Sequence, residues 1–337
     1  MRVGLVMSQE GEKMISFKYK IAGGLVLGLL ATVSVGTSHA AKLNVVTSVA
    51  PITSIVKNVG GDLVSVKGIV PEGVNSHTFE PAPSDAKVLR EADLIIMNGL
   101  HLELPTINLA NKVKKSTTKI LNLGDAAITK NDWKFDFSFP AEKGHPNPHL
   151  WPNMALSQRY AEVARDALIA VDPKNADIYY ANTTEYLAKM AKLDAAIFEC
   201  VKSIPAKNRK LVTYHDSYAY FAPRYGMKVV GAIQPSDFAE PTPREVIRII
   251  EQLKKENVPA VFGSEVFPSK TLEQIAKEAG AKFIDELADD DLPGEVGDAN
   301  HTFLGMMANN MKIMTNALGG SPACVADLDV SDAAGTH

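Results

Sequence analysis

The sequence is 337 residues long, 46% hydrophobic and 22% charged, with a formal net charge of −4 at pH 7. That length exceeds one ordinary core and fits two lobes of roughly 130 to 150 residues each. The composition excludes collagenous, coiled-coil and disordered chains, and a mildly acidic surface without a Lys/Arg cluster argues against nucleic-acid and anionic-membrane partners.

The chain opens with Lys18 and Lys20 ahead of an uncharged run, Ile21 to Val35, that ends in Thr37-Ser38-His39-Ala40-Ala41. The pattern is that of a signal peptide over residues 1–40, cleaved near Ala40. The apolar run of about 15 residues is shorter than the roughly 20 needed to cross a bilayer, and it ends in small cleavage-type residues. No Cys precedes Cys200, which excludes a lipid-modified N-terminal Cys. The expected location is the periplasm. Cys200 and Cys324 are free to pair in that oxidising space, with a disulfide favoured over buried thiols.

Beyond residue 40, short β-rich apolar runs alternate with helical patterns. Leu43–Val49, Val64–Val70, Leu94–Met97 and Lys119–Leu123 read as strands, with helices at Pro51–Val59 and Ser84–Glu91 between them. The scheme repeats in Leu211–Tyr214, Lys228–Ile233, Ala260–Phe262 and Phe283–Ile284. Here Thr242-Pro243-Arg244-Glu245 forms a capping box, and Leu272, Ile275, Ala276 and Ala279 form an amphipathic face stopped by Gly280. Strands alternating with helices imply mostly parallel sheets covered by helices. Asn175 to Ser203 holds no Gly or Pro and predicts one linking helix about 43 Å long at 1.5 Å per residue; two helices broken near Lys192 are the alternative. The expected organisation is an N-terminal α/β lobe over 41–172, a linking helix over 173–205 and a C-terminal α/β lobe over 206–337.

Three histidines stand out. His77 lies in the turn-rich segment Asn75-Ser76-His77-Thr78-Phe79-Glu80-Pro81, His149 in Asn147-Pro148-His149-Leu150-Trp151-Pro152 at a helix entrance, and His215 directly after the strand ending at Tyr214. His77 and His215 follow strands, where open α/β sheets gather ligands. Their spacing matches neither a zinc finger nor HExxH and carries no geometric information by itself.

Taken in order, several segments resemble the metal-specific solute-binding proteins of ABC importers, the zinc and manganese family with one rigid linking helix. The segments are Val46-Thr47-Ser48-Val49-Ala50-Pro51, the Gly60-Gly61-Asp62 turn, His77-Thr78-Phe79-Glu80-Pro81, Ala92-Asp93-Leu94, Asn98-Gly99-Leu100, Pro148-His149-Leu150-Trp151, the His215 segment to Gly226, Glu265, and the helix from Thr302 to Leu318. The resemblance implies two α/β lobes joined by a long helix, with His77, His149, His215 and one later carboxylate as metal ligands. Histidine at the third position is the zinc-type pattern, and imidazole suits Zn²⁺ where added carboxylate suits Mn²⁺. The implied protein is no enzyme: it captures Zn²⁺ between its lobes and delivers it, as a monomer, to an inner-membrane permease, with a periplasmic metallochaperone open as a donor.

For the carboxylate, Ala288-Asp289-Asp290-Asp291-Leu292 offers three candidates. The family pattern favours Asp290, and counting back from the following helix favours Asp291. Glu80 and Asp216 are candidates for orienting the ligand rings. His145 alone occupies the stretch where many zinc members carry a His-rich loop, and His101, His301 and His337 read as structural or solvent-facing. Two alternatives stay open: a Mn²⁺- or Fe²⁺-binding member of the same family, and a zinc hydrolase, which would keep an open metal position for water.

Overall fold

The computed structural model describes residues 41–234, 238–264, 266, 270–285 and 287–333. The signal peptide and its cleavage near Ala40, His39, Glu265 and His337 lie outside the described residues. In chain order the first half contains β1 (Leu43–Thr47), α1 (Ala50–Gly60), β2 (Val64–Gly68), α2 (Pro83–Glu91), β3 (Leu94–Met97), α3 (Leu104–Val113), β4 (Lys119–Asn122), α4 (Leu123–Ala127) and α5 (Met154–Val171). The helix α6 (Ala176–Ser203) follows. The second half contains β5 (Lys210–Thr213), α7 (Phe221–Tyr225), β6 (Lys228–Ala232), α8 (Pro243–Glu256), β7 (Ala260–Phe262), α9 (Lys270–Ala279), β8 (Lys282–Ile284) and α10 (Phe303–Leu318).

The strands form two four-stranded sheets, in the orders β2-β1-β3-β4 and β6-β5-β7-β8, and every pairing is parallel. The halves therefore repeat one topology. β3 is buried along its whole length, as its unbroken Leu-Ile-Ile-Met run requires when helices cover both faces. The predicted capping box forms: the Thr242 N–H donates to Glu245 Oε2 at 2.8 Å, and the Thr242 hydroxyl accepts from the Glu245 N–H. Gly61 takes φ 54° directly after α1, a left-handed value that side chains resist.

α6 is one unbroken helix of 28 residues, about 42 Å long at 1.5 Å per residue. The continuity follows from the absence of Gly and Pro. It packs on α1 and α5 of the first half and on α7 and α10 of the second. Tyr179, Tyr186, Met190, Leu193 and Ile197 of α6 lie in one continuous apolar core with Ile52, Ile55 and Tyr160 and with Met307, Met311 and Met314. A smaller core fills the space between the second sheet and helices α8 and α9, through Val212, Val230, Ile250, Leu253 and Ile275.

Two further ties hold α6. Cys200 near its C-terminal end is disulfide-bonded to Cys324. The C-terminal tail is clamped between α1 and α6: Asp332 accepts from Lys57 and Asn58, each at 2.8 Å, while Lys189 donates to the Ser331 and Asp332 carbonyls. The disulfide spans 124 residues of sequence, so it removes a large loop-closure entropy from the unfolded chain. Replacing both cysteines by Ala is expected to lower stability by about 2–5 kcal/mol; urea unfolding of the variant under oxidising conditions checks this, and an unchanged midpoint contradicts it.

Candidate metal centre

The C-terminal ends of β2, β5 and β8 feed three of the site segments, as expected for open parallel sheets. After β2 the chain makes a tight turn, Ser76–Thr78, in which the Asn75 side chain accepts from the His77 N–H at 2.9 Å. After β5, the Thr213 hydroxyl donates to the His215 carbonyl at 2.7 Å and fixes the bend that turns His215 inward. His149 arrives differently, from the loop before α5, where Asn98 holds the Pro148 carbonyl at 3.0 Å and Tyr160 holds Asn98 at 2.7 Å.

These turns bring the three imidazoles together. His149 Nε2 lies 3.2 Å from His77 Nε2 and 3.3 Å from His215 Nε2. His149 and His215 are buried and His77 half-buried. Bonds of about 2.0–2.1 Å to a tetrahedral centre would hold donor atoms about 3.3 Å apart, so the two spacings fit the edges of such a shell. Burial, reinforced by His215 and His77, holds the His149 imidazole well below its ordinary pKa. Burial and His215 lower His77 to about 3. Both rings therefore present lone pairs at neutral pH.

The acidic run brings two of the three sequence candidates, Asp289 and Asp290, within 4.8 Å of His149. Of the two, Asp289 lies against the imidazoles, with Oδ2 2.9 Å from His215 Nε2 and 3.9 Å from His149 Nε2. Trp151 Nε1 anchors the Asp289 carbonyl at 2.7 Å, and Asn310 of α10 bonds to Ala288. Asp290 is buried beside Asp289 and close to His149, but its Oδ2 accepts from the Ser76 hydroxyl at 2.6 Å. Asp291 points to the rim and accepts from the Gly73 N–H at 2.7 Å.

Electrostatics separate the two buried neighbours. Burial would raise the Asp289 carboxyl, yet His215 and the hydrogen bonds of His215 and Ser217 hold it below its ordinary value. Burial and the Asp289 charge push Asp290 up to about 7. Two adjacent buried carboxyls do not both ionise readily, and the one beside His215 is the anion.

Aromatic rings from both halves surround His77. Phe238 stacks on it nearly parallel, with centroids 4.6 Å apart, and Phe139 lies 5.4 Å away. Phe238 adopts φ 61°, a strained value for a bulky residue. A cavity of about 150 Å³ runs from His77 past Phe139 and Phe238 to His101 and His145. The rings of His101 and His145 are exposed and lie 4.0 Å apart. His301 sits away from the centre, 3.8 Å from Glu72. Glu80 is exposed, whereas Asp216 is buried behind His215 and accepts from the Tyr218 N–H. Ser217, Phe139 and Phe238 escaped the sequence reading, whereas Asp289 is one of its three candidates in the triple-Asp run.

Comparison with known proteins agrees with this architecture. The family model for ZnuA, the periplasmic zinc-uptake complex component A, matches residues 45–317. The metal ABC transporter substrate-binding lipoprotein FimA of Streptococcus parasanguinis is 31% identical over 87% of this chain and 95% of its own. The iron-binding protein YfeA of Yersinia pestis is 30% identical over 83% and 87%. Among solved structures, the periplasmic zinc-binding protein TroA of Treponema pallidum superposes with a TM-score of 0.75 at 27% identity, over 82% of this chain and 99% of that one. A Cd-bound periplasmic metal-binding protein of Candidatus Liberibacter asiaticus gives 0.72 at 27% identity, over 82% and 100%.

The geometry distinguishes the three aspartates experimentally. Asp289→Ala is expected to weaken binding of a Zn²⁺ probe by more than the roughly 10–100-fold typical of losing an outer hydrogen-bonding partner, and Asp291→Ala to change it little. Titration against a competing chelator, with circular dichroism to confirm folding, reads both. A large loss in Asp291→Ala with none in Asp289→Ala would reverse the assignment.

Proposed function

Since the chain belongs to the periplasmic zinc-uptake component A family, a family of metal-binding components of ABC importers rather than enzymes, we propose that it captures Zn²⁺ in the cleft between its two sheets and presents it to a membrane permease. The ligands in this reading are His77, His149, His215 and Asp289. The observation that carries it is the convergence of three imidazoles with Nε2 spacings of 3.2 and 3.3 Å beside a carboxylate. Three nitrogens and one oxygen form the donor set that suits Zn²⁺, whereas Mn²⁺ prefers more oxygen.

The manganese reading has its own support, since the manganese ABC transporter substrate-binding lipoprotein PsaA of Streptococcus pneumoniae is 30% identical over 87% of the chain. Direct competition decides between the metals. The proposed working form is a periplasmic monomer of residues 41–337, with the lobes and linking helix expected from sequence. Among the described residues no helix is long and apolar enough to cross a membrane. Because α6 packs on both halves, capture proceeds by local loop movement and small shifts rather than wide hinge closure.

One Zn²⁺ should bind per chain and, at a thousandfold excess over Kd, stabilise the fold by about 4 kcal/mol. Calorimetric titration and thermal unfolding with Zn²⁺ or Mn²⁺ measure this, and equal or tighter Mn²⁺ binding would transfer the assignment to manganese.

The pH dependence should be shallow. Three imidazoles of ordinary pKa would lose on the order of 10⁴ in affinity between pH 7.5 and 5 through proton competition. Here burial lowers His77 to about 3 and holds His149 well below its ordinary value, so the fall should be smaller. A fall of 10⁴ or more would contradict the buried arrangement.

A further inference from the structure

We infer that Asn147 is a positioning residue that sets the tautomer of His149 and ties it to His215 across the cleft; the inference builds on the reading of the cleft as a metal site. Asn147 is completely buried and spends both ends of its amide. Its Oδ1 accepts from the His149 backbone N–H at 2.8 Å and lies 2.8 Å from His149 Nδ1. Its Nδ2 donates to Asp136 Oδ2 at 2.7 Å and to the Asp216 backbone carbonyl at 2.5 Å.

These partners leave the amide one orientation. A carboxylate oxygen and a carbonyl oxygen, both acceptors, face one end, so that end is the NH₂ group. The other end is then the oxygen, and His149 Nδ1 must carry the proton that it accepts. The Nε2 lone pair is left pointing at His77 and His215. Asp136 is itself immobilised, its Oδ1 accepting from the Ser138 and Phe139 N–H groups at 2.9 and 3.0 Å. The Asp216 N–H donates to the Ser138 hydroxyl at 3.0 Å, so the loop before α5 grips the backbone next to His215 from two sides.

Simple support of His149 would need only an acceptor, which a carboxylate supplies as well as an amide. The two donor bonds of Nδ2 are what require an amide here. The substitution Asn147→Asp would place a carboxylate against the Asp136 carboxylate and the Asp216 carbonyl. It thus separates a residue that merely orients a ring from one that also joins the two sides of the cleft.

The test uses the full chain. In ¹⁵N-labelled, metal-free wild type, long-range ¹H–¹⁵N correlation is expected to show His149 as the Nδ1–H tautomer. Asn147→Asp is expected to bind Zn²⁺ about 10–100-fold more weakly, and Asp136→Asn combined with Asn147→Asp to recover part of that loss, because the exchange restores the bond between positions 136 and 147 but leaves the Asp216 carbonyl without its donor. An Nε2–H tautomer in wild type overturns the assignment, as does Asn147→Asp that folds and binds Zn²⁺ like wild type, or a double variant no better than the single. The tautomer is read without metal, so it decides the role of Asn147 even if the single variant fails to fold or the wild type binds no Zn²⁺.

Discussion

Three imidazole nitrogens packed 3.2 and 3.3 Å apart in a buried cleft are a demanding arrangement. Each contact needs a ring N–H on one side and a lone pair on the other, set by the tautomers, and burial disfavours protonating His77 and His149. A divalent cation would take the place of those ring protons, and the adjacent Asp289 carboxylate would offset part of its charge. Much of the surrounding structure holds these four groups in place. Each is pinned by its own backbone device: an Asn75 cap for His77, the Asn98 and Tyr160 chain for the loop of His149, the Thr213 hydroxyl for His215, and the Trp151 indole for Asp289.

The pins come from both halves, so the centre depends on keeping the halves in register. α6, the Cys200–Cys324 disulfide and the clamped tail do this from behind. At the front, Ser76 reaches Asp290, Gly73 reaches Asp291 and the Leu292 N–H reaches Glu72, zipping the first-half loop onto the second-half loop. These front contacts are few and polar, whereas the rear is an apolar core. Opening is therefore cheaper at the mouth than along the helix, which is the asymmetry a protein needs if it is to admit and release an ion without separating its lobes.

Aromatic packing adds a further asymmetry. His77 is the most exposed of the three imidazoles and lies against Phe139 and Phe238 beside the cavity. The strained backbone at Phe238 is held in part by that stacking. The exposed side of the centre is thus walled by the rings of Phe139 and Phe238.

Local chemistry made much of the fold readable in advance. The β-branched runs of β1, β2 and β5 announce parallel strands, the Thr242 capping box starts α8, and the absence of Gly and Pro from Asn175 to Ser203 favours one long helix. α3 was not anticipated, because its mixture of apolar and polar residues after Pro105 shows only a weak stripe. α10 is buried on nearly every face, so periodicity alone could not reveal it, and it was expected only through family resemblance. For the site, His77 and His215 could be placed beyond strand ends, but nothing local says that they meet His149. The triple Asp shows the limit most clearly. Asp289, Asp290 and Asp291 are chemically identical and adjacent, and only the fold decides that the first faces His215, the second Ser76 and the third Gly73. The sequence by itself determined most of the elements, because propensity, capping and periodicity are local. Which carboxylate lies beside His215 and which amide beside His149 was decided by tertiary structure, because those placements depend on distances between segments up to 218 residues apart.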